Sequence, residues 1–175
     1  NNPYEAPIAK GIPPTLPVDL PALRKAGNDL GLIVYTPWGN TLTTDMAMAA
    51  VEGEHMGADT VPDLLAISYS STDELAHLMG PRALEVEDMY IRLDRELERL
   101  LTFLDKRVGA GEYTVFLTGD HGGADVPAFL RDRRGSAGYT SMKELRQWMD
   151  GRGLGQWVEE VGQGQVFLRA DAPQG

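Results

Sequence analysis

Tyr113-Thr114-Val115-Phe116-Leu117-Thr118-Gly119-Asp120-His121-Gly122 runs from an apolar stretch into a carboxylate set beside an imidazole. The apolar part predicts a buried strand, and the Asp-His pair falls where that strand would stop. The same order occurs upstream. Leu64-Leu65-Ala66-Ile67 leads into Ser68-Tyr69-Ser70-Ser71-Thr72-Asp73-Glu74-Leu75-Ala76-His77, which again ends in Asp and His.

The chain between the two runs decides whether these pairs can meet. Val86, Tyr90, Leu93, Leu97, Leu100, Leu101, Leu104 and Val108 recur at steps of three and four, with Arg92, Asp94, Arg95, Glu96, Glu98 and Arg99 between them. That spacing predicts one long amphipathic helix. Pro81 suits its beginning and Gly109 the left-handed cap that would end it. A strand, a helix and a second strand normally make two parallel strands with a right-handed crossover, so both strand ends reach the same edge of the sheet. Asp73, His77, Asp120 and His121 are then expected to converge at the carboxyl edge, where ligands bind in open α/β sheets.

Carboxylate and imidazole donors suit zinc or a similar transition metal, and no thiolate competes for it. Two pairs could serve one ion or two. Singly, each pair has an ordinary explanation: Asp120 as a turn residue or cap, His121 as a hydrogen-bonded loop histidine, Asp73 as the cap of the next segment. Their occurrence at matched strand ends favours the metal reading.

Ser70-Ser71-Thr72-Asp73 with His77, then Gly80-Pro81, Glu85-Val86-Glu87-Asp88, Arg92-Leu93-Asp94 and Phe116-Leu117-Thr118-Gly119-Asp120-His121-Gly122 resemble the alkaline phosphatase superfamily. The resemblance is ordered, extends from about Thr36 to Pro127, and includes Thr36-Pro37-Trp38-Gly39-Asn40. It is strongest to the bacterial branch grouped with type I phosphodiesterases and nucleotide pyrophosphatases. It implies two zinc ions, roughly 3.5 to 4 Å apart in a two-metal site. Asp73 and His77 match the ligands of one ion; Asp120 and His121 match the consecutive pair that holds the other. It further implies a Thr or Ser nucleophile, a covalent phosphoenzyme and its hydrolysis by water.

Three parts of that pattern have no counterpart here: an upstream Asp ligand, the nucleophile after it, and a third His toward the C-terminus. No catalytic residue is therefore assigned within this chain. Thr72 adjoins Asp73, but the family nucleophile lies upstream on a different element. His55 falls in a predicted helix ahead of the metal motifs and reads as a helix-end or surface histidine. These departures lead us to expect a fragment of a longer enzyme, with two incomplete metal half-sites and little catalysis of its own.

Composition fits this expectation. The 175 residues are 42% hydrophobic, enough for one core, and a single partial domain over residues 1–175 is expected. A net charge of −10 argues against nucleic acid or anionic membranes as partners, since both attract a basic face. Arg131, Arg133 and Arg134 form the one tight basic cluster and read as a solvated loop. No apolar stretch approaches the roughly 20 residues that cross a bilayer. The absence of cysteine excludes disulfides without fixing a compartment; the resemblance implies a periplasmic or secreted protein.

Residues 1–21 carry six prolines and predict an extended surface segment. Leu32 to Tyr35 predicts a short strand closed by a turn at Pro37 to Asn40, and a helix is expected from Leu42 to Met56. Gly135 to Gly138 reads as a loop. Ser141 caps a helix over Met142 to Met149 with Glu144 as capping-box partner, and Val166 to Leu168 predicts a last strand. The expected fold is a partial three-layer α/β/α domain of the alkaline phosphatase type. The expected function is phosphate monoester hydrolysis; a phosphodiesterase or nucleotide pyrophosphatase with the same ligands is one alternative, a non-catalytic scaffold another. Missing strands would leave edges exposed, so self-association is also expected.

Overall fold

The computed structural model describes residues 3–5, 16–25, 29–162 and 164–173. They fall into two compact units, Asn1–Val126 and Pro127–Gly175, where the sequence suggests a single partial domain. The expected extended segment over residues 1–21 lies mostly outside the described residues, and its end, from Leu20, enters helix α1 (Leu20–Lys25).

The first unit is built on three helices: α2 (Pro37–Gly53), α3 (Ser70–Met79) and α4 (Leu84–Leu104). Leu30–Tyr35, where a strand was expected, is a 3-10 helix, started by Asp29 Oδ1 accepting from the Gly31 N–H at 2.8 Å. Pro37 does not close a turn; it occupies the first turn of α2, where its missing N–H removes no helical bond. That helix ends at Gly53, three residues short of the expected Met56.

Helix α4 begins close to where the periodicity placed it and passes into a π turn over Asp105–Gly109, with Gly109 at φ 124°. Its apolar face meets α3. Leu75, Met79, Ala83, Val86 and Met89 form the core cluster, with Met89 wholly buried. Burial on this scale contributes about 1.5–3 kcal/mol for each large side chain. Helices α2 and α4 are tied by a polar network. Arg99 Nη1 donates to Asp45 Oδ1 at 2.7 Å, Arg99 Nη2 to Glu96 Oε2 at 2.7 Å, and Thr41 Oγ1 to Glu96 Oε1 at 2.9 Å.

The two apolar runs depart from expectation. Residues 64–67 and 113–117 carry no strand ladder, and Leu64 and Phe116 are each 91% exposed. Parallel strands persist where neighbours supply the ladder and both faces are covered. Among the described residues nothing does this for either run. Tyr113 is nonetheless anchored, its hydroxyl donating to Asp105 Oδ1 at 2.7 Å.

In the second unit α5 (Pro127–Asp132) comes first. Helix α6 (Met142–Asp150) has the expected capping box, with the Glu144 N–H donating to Ser141 Oγ at 3.1 Å and the Ser141 N–H to Glu144 Oε2 at 2.7 Å. Strands β1 (Val158–Gly162) and β2 (Gln165–Leu168) pair antiparallel with an irregularity between Val158 and Glu160, and Met149 of α6 and Val158 of β1 are both buried. This hairpin is the one sheet among the described residues.

Candidate metal centre

Residues 70–79 form a helix, so Asp73 and His77 stand four residues apart on one face of α3. The i, i+4 spacing of the two is the sequence signal for this face, and the apolar run before it obscures it by suggesting a loop at a strand end. Helix α3 is seated by its other face. Asn40 of α2, 1% exposed, donates through Nδ2 to Thr72 Oγ1 at 2.9 Å. Gly39 allows the close approach, because a methyl there would overlap Ser71 Oγ and fall 2.9 Å from the Ile33 carbonyl oxygen. Thr72 is thus buried against α2, its hydroxyl held by Asn40.

His121 comes to the same place from the loop after residues 113–117. Its Nε2 is 3.5 Å from Asp73 Oδ1, while His77 Nε2 lies 3.3 Å from that same oxygen. The two rings are tilted by 54° with centroids 5.4 Å apart. Asp73, His77 and His121 each offer one donor atom, and the three atoms lie within 4.8 Å of one another. Asp73 is half-buried and the histidines are exposed, so the group opens to solvent.

Asp120 is arranged differently. Its Oδ1 accepts the His121 N–H at 3.0 Å, and its Oδ2 stands 3.8 Å from His121 Nε2. The side chain is largely exposed and lies outside the group of three. His55 is exposed at positive φ beyond α2 and is likewise no part of it.

His121 makes a backbone contact that the sequence could not reveal. Nδ1 is 3.2 Å from the Gly122 carbonyl oxygen and Nε2 is 3.5 Å from Asp73 Oδ1, both acceptors; the protonated ring can serve both, and the neutral ring with its proton on Nδ1 leaves Nε2 for a metal. The Gly122 carbonyl, and after it the charges of Asp120 and Asp73, hold the His121 imidazole above its usual pKa. The chemistry of the donor set fits a zinc-like ion: two imidazole nitrogens and one carboxylate oxygen, with one imidazole oriented from behind.

Helix α3 thus presents Asp73 and His77 on one face, and the loop beyond α4 returns His121 to them. The family pattern of type I phosphodiesterase / nucleotide pyrophosphatase matches residues 7–167, and the chain belongs to that family, within the alkaline phosphatase superfamily. Alkaline phosphatase PafA from Elizabethkingia meningoseptica is 48% identical over 109 residues, covering 62% of this chain and 20% of that protein. A protein from Myroides odoratus named calcium-transporting ATPase is 40% identical over 175 residues, covering 96% of this chain and 32% of its own. The crystal structure of wild-type alkaline phosphatase PafA superposes with a TM-score of 0.82 at 38% identity, covering 96% of this chain and 32% of that one. The fold is therefore that of part of an alkaline phosphatase-like α/β domain, here rich in helix with a small sheet. The chain spans about a third of the length of the Myroides protein and of the PafA structure, and a fifth of the Elizabethkingia protein. No helix among the described residues is long and apolar enough to cross a membrane.

Proposed function

We propose that this chain carries part of the metal centre of a phosphohydrolase acting on phosphate monoesters. The observation that carries the reading is Asp73 Oδ1 held between His77 Nε2 and His121 Nε2. Asp73 and His77 would hold one zinc ion and Asp120 with His121 a second, as the resemblance implies, with further ligands and the Thr or Ser nucleophile supplied from outside these residues. When bound, such ions polarise phosphoryl oxygens and stabilise the charge that develops during transfer. The chain's own contribution is orientation. Helix α3 fixes the spacing of Asp73 and His77, and the Gly122 carbonyl beside Nδ1 orients the His121 ring with Nε2 toward Asp73. The exposed Asp120 Oδ2 remains able to turn toward a neighbouring ion.

Monoesters are preferred over diesters because the relatives that align at 48% and 44% identity are named alkaline phosphatases. The family pattern keeps a phosphodiesterase or nucleotide pyrophosphatase as the second reading. We place the phosphatase in the periplasm or outside the cell, on the resemblance alone.

Zinc content after dialysis of this chain against micromolar zinc tests the centre, with the double variant Asp120→Ala, His121→Ala beside it. Zinc retained by the parent and lost by the variant is expected. In a protein completed to the relatives' length, Asp73→Ala should abolish nearly all p-nitrophenyl phosphate hydrolysis, with bis(p-nitrophenyl) phosphate measured alongside to separate the two readings. Near-normal turnover in Asp73→Ala would sink the metal assignment and favour a non-catalytic scaffold.

A further inference from the structure

The two segments that carry the metal donors are far apart in sequence and share no strand ladder, yet Asp73, His77 and His121 meet within 4.8 Å. No sheet among the described residues brings them together. Immediately after α3, Arg82 Nε donates to Asp125 Oδ1 at 2.6 Å and Arg82 Nη2 donates to Asp125 Oδ2 at 3.1 Å, a forked pair between the α3–α4 connection and the loop after His121. The backbone beside the fork is fitted to the same approach. Gly80 sits at φ 86°, and a methyl on it would overlap Val126 Cγ2. A methyl on Gly123 would fall 3.3 Å from Pro81 Cβ.

We infer that residues 80–82 and 123–126 form a clasp, with Arg82 and Asp125 as positioning residues that hold His121 against Asp73 and His77. Neither residue touches the group of three. Asp125 is four residues beyond His121 and Arg82 five beyond His77, so the fork closes the open end of the loop that His121 occupies. An exposed ion pair contributes little to global stability, so its loss should change position far more than melting. The inference rests on the metal reading for its functional meaning, while the clasp itself can be measured without metal.

The chain contains no cysteine, so a labelled pair is simple to place. Glu74→Cys and Thr118→Cys, both at exposed positions, would carry spin labels for a distance measurement on the metal-free chain. A narrow distribution is expected in the parent, a broader and longer one in Arg82→Gln and in Asp125→Asn, and recovery in the reversed pair Arg82→Asp with Asp125→Arg. Zinc affinity should fall about tenfold in the single variants, with the metal-free melting temperature nearly unchanged. Single variants that keep the parent's distance distribution, or a reversed pair as broad as the single variants, would overturn the clasp whatever zinc does. A chain that takes up no zinc but shows the distance response would overturn the metal reading alone and leave the clasp standing.

Discussion

Asp73 Oδ1 faces two imidazole nitrogens, and this makes the protonation of His121 the first quantity that pH should change. Its folded pKa is raised, so the stabilisation from its protonated form is fully present below the unfolded value and is lost as pH rises through the folded one. The metal-free chain should therefore lose stability on going from about pH 5 to pH 8, and His121→Gln should flatten that profile in thermal melts. Zinc needs the same Nε2 lone pair, so uptake should strengthen as pH rises over that window. A melting profile identical in parent and variant would show that the contact is incidental. Asp73, His77, Asp120 and His121 stand out in the sequence because unlike residue types at matched positions are visible in one dimension. The separation of Asp120 from the other three is not visible there, since it depends on which way the backbone turns at Gly119 and Gly122.

At the scale of elements, α3 is held by its buried face against the first turns of α2. Asn40→Ala removes the hydrogen bond to Thr72 Oγ1 and leaves a buried hydroxyl without it, a cost of about 2 kcal/mol. Gly39→Ala forces a methyl into Ser71, with a cost of about 1–3 kcal/mol from overpacking. Chemical denaturation of the two variants checks both, and Asn40→Ala within error of the parent would show that the helix is seated by apolar packing alone. Helix α4 and the capping box of α6 were legible in the sequence because period and cap chemistry are local. Helix α3 was not: Ser68 to Leu78 has too few apolar residues to show a period, and its helical state depends on what Ser71, Thr72, Leu75 and Met79 pack against. The 3-10 helix at Leu30–Tyr35 was hidden for a related reason, since a short apolar run suits a strand equally well until its neighbours are known.

At the scale of the molecule, the two apolar runs expose Leu64, Val115, Phe116 and Leu117, which a soluble surface seldom shows together. Unpaired apolar segments of this kind invite pairing with a second copy. The chain should therefore associate reversibly with rising concentration, and Phe116→Lys should shift it toward monomer in sedimentation; a parent chain monomeric at high concentration would exclude this. The sequence by itself determined the long helix, the capping box of α6 and the superfamily, because periodicity, caps and ordered motifs are properties of neighbours along the chain. Only the tertiary structure decided that Asp73, His77 and His121 meet while Asp120 turns aside, that Thr72 is buried against Asn40, and that Arg82 grips Asp125. Those contacts join residues tens of positions apart, and their energies come from burial and geometry that exist only after the helices have packed.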